Sequence, residues 1–233
     1  MSKASSSKTL KEANRPKLRV AISANAALLY AFSQYHAVST SGLGGLVAGS
    51  LNLVPLSIAV VLTTVANGLL NDTTKTRLVF LRWRQALPGH RAFSEFALTD
   101  PRIDVDGLRK LLGKNWPAEP EAENRTWYRL FKEVENDPAV LFAHGEYLFT
   151  RDYAGMAALL AIWLGAAAAI IVRPLPVLLV YLVALIAQFW VVRHVAANYG
   201  ERFVCTVLAR KAARPVAQPS PPSRRSPKAL KAP

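Results

Sequence analysis

The sequence predicts an all-α integral membrane protein, with four transmembrane helices arranged as two hairpins flanking a small cytoplasmic helical domain. Three observations carry that prediction. Between Val20 and Asn71 the chain runs for 52 residues without Asp, Glu, Lys or Arg. Two more uncharged stretches, Ala154 to Val172 and Pro174 to Val192, hold 19 residues each and are separated only by Arg173. Finally, 52% apolar residues and a mean hydropathy of +0.18 coexist with a net charge of +14, so charged and apolar residues are segregated along the chain.

Each of the two 19-residue stretches would span about 28 Å as a helix, close to the roughly 30 Å hydrocarbon core of a bilayer. The longer uncharged stretch exceeds one crossing and is interrupted by Ser39-Thr40-Ser41-Gly42 and Gly44-Gly45, which favour a turn. It divides into a first span, about 20–38, diluted by Ser23, Asn25, Ser33, Gln34 and His36, and a second, about 43–70, containing Pro55. A cleaved signal peptide is the competing reading of the amino end, but no small-residue cleavage site with a charged mature surface follows. The spans at 154–172 and 174–192 form the second hairpin.

Charge sets the orientation, because basic residues in short flanking segments stay on the cytoplasmic side. Segment 1–19 carries six basic residues against Glu12, segment 72–153 carries 13 basic and 13 acidic residues, and the tail 193–233 carries nine basic residues and Glu201. The first external turn has no basic residue and the second only Arg173. Both termini and the middle segment are therefore expected in the cytoplasm of a cell with an inner membrane, with the basic, Pro-rich tail from 193 largely disordered. Asn71-Asp72-Thr73 and Asn124-Arg125-Thr126 match glycosylation triplets but fall on the wrong side of the membrane for that chemistry.

Within the middle segment, Lys75 to Leu87 reads as an amphipathic continuation of the second span, stopped by Pro88-Gly89. Val105 to Leu112 reads as a short helix with Asp104 at its start and Gly113 beyond its end. Glu121 to Glu135 places Trp127, Leu130, Phe131 and Val134 at helical spacing. Asn136-Asp137-Pro138 then ends that helix and begins another, which is expected to run unbroken through Tyr153 into the third span. Such a rod would join the cytoplasmic domain mechanically to the bilayer.

Catalytic apparatus is not evident. His36, His90, His144 and His194 lie on separate segments without metal-ligand spacing, so no metal and no cofactor are expected. Asp104 and Asp106 read more simply as a helix start than as a carboxylate site, and Cys205 is the lone cysteine. Gly42-Leu43-Gly44-Gly45 lacks the Lys and Ser or Thr of a phosphate loop. A membrane-bound enzyme using His90, His144, Asp104 or Asp106 is the weakest reading.

Two clusters carry more. Asn124, Arg125, Trp127, Tyr128 and Arg129, with His90, Arg91 and Arg102, are the residue types that clamp a phosphate and stack on a base, making them candidates for sensing a small-molecule signal. Their plainer reading is packing of Trp127 and Tyr128, with Arg125 and Arg129 in solvated pairs to Glu121 and Glu133. In the membrane, Thr63, Asn67 and Asn71 fall at i, i+4 and i+8, with Asn52 further along. This polar face should meet another helix, line a path, or join copies of the protein. Gly165 with Ala166 to Ala169 offers a small-residue surface suited to self-association. The terminal Lys and Arg clusters suit anionic lipid headgroups rather than nucleic acid, since they lack interleaved aromatic residues.

Two hairpins around a small helical domain are similar in outline to small bacterial membrane effectors, including those of phage-defence and toxin systems. That likeness is architectural only; the polar face at Thr63, Asn67 and Asn71, the rod from Pro138 to Ala154 and the absence of an active site lead to the expectation of an effector whose cytoplasmic domain receives a small-molecule or protein signal and whose oligomerised helices form a pore. A non-conducting scaffold that recruits a cytoplasmic partner is the alternative.

Overall fold

The structure is a computed structural model and describes residues 10–44 and 53–213. Asn52, the basic residues before Leu10, and the Pro-rich run from 214 lie outside the described residues. Eight helices of a turn and a half or more occur among the described residues: α1 (Leu10–Ser33), α2 (Tyr35–Ser41), α3 (Leu53–Leu69), α4 (Asp72–Phe80), α5 (Val105–Leu112), α6 (Pro120–Val134), α7 (Pro138–Ile171) and α8 (Leu175–Ala212). No strand occurs among the described residues.

The two long helices are long and apolar enough to cross a bilayer. At 34 and 38 residues, α7 and α8 measure about 51 and 57 Å, well beyond the roughly 30 Å hydrocarbon layer. Their surplus length lies on one side of the uncharged stretches, at the amino end of α7 and the carboxyl end of α8. The α7 rod is continuous, as Asp137-Pro138 predicts: the Asp137 carboxylate accepts from the Ala139 and Val140 backbone N–H groups at 2.8 and 3.3 Å. Pro138 occupies the first helical position, where its missing N–H costs nothing.

α7 is the central helix, and α1, α3, α4 and α8 all pack on it. At the level of the uncharged stretches, Met156, Leu160 and Leu164 of α7 bury against Leu29 of α1, Leu56 and Ala59 of α3, and Leu178, Tyr181 and Leu185 of α8. The small residues have an internal use. Gly165 lets α8 approach so closely that an added Cβ would sit 3.3 Å from Leu182. Ala167 and Ala168 are also buried within the protomer, whereas Ala166 and Ala169 face outward.

Two expectations are overturned at the ends of spans. Lys75 to Leu87 does not continue the second span: α3 and α4 are bent 103° apart. The physical reason is Asn71, whose side chain accepts from the Thr74 backbone N–H at 2.7 Å and starts a new helix. A residue expected on the polar face of a span is instead an N-cap. The chain also does not leave the folded body at residue 193. α8 continues to Ala212, because Phe203, Val204, Val207 and Leu208 recur at helical spacing and bury in the core formed with segment 92–147.

That core joins distant segments. Phe93, Phe96, Ile103, Leu108, Trp127, Leu130, Phe131, Val140 and Tyr147 surround Phe203 through Ala212 of α8. α5 forms where predicted, with the Asp104 carboxylate accepting from Gly107 N–H at 2.9 Å and Gly113 following its end at φ +52°. Gly113→Ala should therefore destabilise the fold by about 1 kcal/mol, from the left-handed backbone alone, readable as a lowered melting temperature in detergent.

Candidate functional site

Between α6 and the amino-terminal part of α7 lies a cavity of about 580 Å³, a size typical of small-molecule sites. Its apolar floor is aromatic. The Phe203 ring stacks on His144, with centroids 4.6 Å apart and planes 5° apart, while Phe131 meets both rings edge-on. Trp127 stacks on Phe131 and donates its indole N–H to the Val204 carbonyl at 3.4 Å. Tyr147 closes one wall, and burial pushes its phenol above the usual value.

The rim is polar. Asn124, Lys132, Glu135 and Asn136 line it on one side, Asp72 and Arg151 on the other. Arg151 is buried and pairs with Asp152 at 2.9 Å and Asp72 at 3.0 Å, while Lys75 approaches Asp152 at 3.6 Å. These two bases and two acids bring the end of the first uncharged stretch and the start of the second to one level. Asn124 is held over Gly89, where an added Cβ would overlap its Oδ1. An apolar aromatic floor with a mixed polar rim suits an amphipathic organic molecule, held by stacking and a few oriented hydrogen bonds.

The sequence-predicted sensing residues separate. Asn124, Trp127 and Tyr128 meet at the cavity. Arg125 and Arg129 lie on the opposite, exposed face of α6 beside Ala122 and Thr126. Arg91 pairs with Glu95 at 3.2 Å and rests on the Phe80 and Phe96 rings. His90 sits in the turn Pro88–Arg91, outside the cavity lining. Arg102 is held by Asp100 at 2.6 Å. Four guanidinium groups thus point away from the site they were expected to build.

The membrane polar face also resolves into separate positions. Thr63 follows Leu56 and Ala59 on the side of α3 turned toward α7, and its hydroxyl and the Asn67 Oδ1 are enclosed in the protomer. Asn71 is the cap already described. Sequence reasoning weighed His144 only for an enzyme and passed over Tyr147, Arg151 and Phe203, since Phe203 reaches the cavity from 56 residues beyond Tyr147. Charges at the ends of both uncharged stretches, Asp72 with Lys75 and Arg151 with Asp152, were the available signal.

At the far side of the domain the Arg102 side-chain hydrogen bond holds the Asp100 carboxyl down at about 2, below its ordinary 3.8. Burial, with Asp100 nearby, pushes the Cys205 thiol up to about 12, where it is inert. A depressed folded value means that the Asp100 pair stabilises the fold above about pH 4 and loses its contribution as pH falls through about 2. Arg102→Gln should lower the melting temperature at pH 6 and match the parent near pH 2, followed by circular dichroism.

Among the described residues, no group of three His, Cys, Asp or Glu side chains is placed to hold a metal ion. No family model, curated protein or solved structure matches this chain.

Proposed function

We propose that the chain is a multi-pass inner-membrane protein, with both termini cytoplasmic, that receives a small amphipathic signal in its cytoplasmic cavity and passes it to the bilayer as a change in permeability. One observation carries this reading: the cavity wall is built on the same unbroken helices that form the membrane spans. His144, Tyr147 and Arg151 lie on α7, and Phe203 lies on α8. A ligand that separates these rings must tilt or shift rods about 50 Å long, since a helix transmits displacement along its axis. In this reading α1 and α3 complete four spans, and copies of the protein assemble around them.

The test is membrane potential, read with a voltage-sensitive dye in bacterial cells expressing the full chain. Leu141 lines the cavity and is partly exposed, so Leu141→Trp fills the space without touching the core. Depolarisation by the parent and about tenfold less by Leu141→Trp, at equal membrane insertion, is the expected result. Equal depolarisation by both would remove the cavity from the mechanism.

A second reading, a non-conducting scaffold, is favoured by one specific observation. Thr63 and Asn67 turn inward against α7, which leaves the outer surface of α3 to Val54, Ile58, Val61 and Val65. An unchanged potential with normal insertion would favour the scaffold. Its partner should be sought with the whole chain, because residues 72–153 lack the α8 half of their core.

A further inference from the structure

Trp83 is 78% exposed and Leu81 51% exposed, in the loop that follows α4, beside Thr74, Arg77 and Leu78. The two positive-φ non-glycine residues among those described, Leu81 at +51° and Gln85 at +52°, flank this loop. A left-handed backbone costs such residues about 1 kcal/mol each, and here it turns Arg82-Trp83-Arg84 outward as a tight projection. Charge in this region has one sign: residues 73–94 contain five basic residues and no acidic one. Lys75 and Arg91 have carboxylate partners. Arg77, Arg82 and Arg84 make no ion pair among the described residues; Arg82 and Arg84 are exposed, while Arg77 is half-buried with its Nε enclosed.

The depth of this projection follows from packing. Val79 of α4 buries against Ala154 of α7 and Ala196 of α8. Ala154 begins one uncharged stretch, and Ala196 lies one helical turn past the end of the other at Val192. α4 therefore crosses both rods at their emergence from the hydrocarbon, and the 103° bend after α3 turns it along that boundary. Tryptophan and arginine at such a level are the side chains that seat in the headgroup region, the ring at the glycerol layer and the guanidinium on phosphate.

From this placement we propose that Arg77, Leu81, Arg82, Trp83 and Arg84 form an interfacial anchor that binds anionic phospholipid headgroups of the leaflet from which α4 emerges. The anchor rests on the reading of α7 and α8 as membrane spans. It fixes the 103° elbow against the bilayer, so that lipid composition bears on the helix pair α4–α7 beside the cavity.

The test uses the full chain reconstituted in zwitterionic vesicles that contain an equal mole fraction of either phosphatidylcholine or phosphatidylglycerol brominated near the top of the acyl chain. Trp83→Phe, compared with the parent, isolates the Trp83 emission, while Trp163 and Trp190 on the spans serve as reference. The expected result is quenching of Trp83 with a local preference for the anionic lipid of about tenfold, from three basic residues near the surface. A combined R77Q/R82Q/R84Q variant should bring the two lipids to near parity, and the corresponding lysine variant should retain the preference, which separates charge from misfolding. Quenching of Trp163 and Trp190 without Trp83, or equal quenching of Trp83 by both lipids, would overturn the anchor. No quenching of any tryptophan would overturn the spans themselves and the anchor with them.

Discussion

Glu123→Ala will unfold the domain built around α6 at temperatures where the parent is intact. Glu123 is only 2% exposed, and its carboxylate accepts from the Phe93 and Ser94 backbone N–H groups at 2.7 and 3.1 Å. Those donors open the π-helical turn Ala92–Phe96 that delivers Phe93 and Phe96 to the core. Alanine leaves both donors without their acceptor, and hydrogen bonds to a charged group contribute roughly 1.5–3 kcal/mol each. A loss of about 3–5 kcal/mol follows, to be read from chemical denaturation in detergent with tryptophan emission as the signal. Glu123→Gln keeps an acceptor oxygen in place and should lose less than half as much. A Glu123→Ala midpoint equal to the parent's would show that the turn does not depend on this side chain.

Gly200→Leu is the second large effect, and it acts where the membrane helices enter the domain. An added Cβ at Gly200 would lie 2.9 Å from Phe80 Cζ and 2.9 Å from Tyr147 Cε2. Tyr147 is buried and Phe80 packs on the same cluster, so neither ring has room to withdraw. Overpacking a dense core typically costs about 1–3 kcal/mol for a few methylenes, and a full leucine between two rings should exceed that range. The expected outcome is a domain that separates from α8, seen as faster proteolysis after Arg202 or Arg210 while residues 154–192 stay protected by lipid. Gly200→Ala should give an intermediate result, and a protease pattern like the parent's in both variants would show that the three helices do not meet there as described.

Local chemistry was the legible part of this fold. Asp104 and Gly113 bracket α5, and Asp137-Pro138 starts α7, because caps and stops act within one helical turn and are written in adjacent residues. Asn71 shows the limit of that legibility. At i+8 from Thr63 it fits a membrane face, and before Asp72 it fits an N-cap; only the packing of α4 across α7 and α8 decides between them. The same holds for α8 beyond Val192, whose apolar spacing was present but was overshadowed by its charge. Glu123 was not singled out by the sequence, since nothing in a single helix distinguishes an acid that faces water from one that faces another segment's backbone. The cavity was the least legible feature. His144 and Phe203 are 59 residues apart, and no periodicity relates them.

The sharing of one core between segment 92–147 and the end of α8 has a consequence for how the protein is made. A ribosome adding about 5–20 residues per second completes Tyr147 and then takes roughly 3–13 s to reach Ala212. During that interval two spans must be placed in the bilayer while Phe93, Trp127 and Phe131 wait without Phe203. The nascent domain therefore presents an open aromatic face until α8 is complete. Folding of the domain reports that the last helix has arrived, and a chain that stops short of residue 203 carries its own exposed signal for chaperones and proteases.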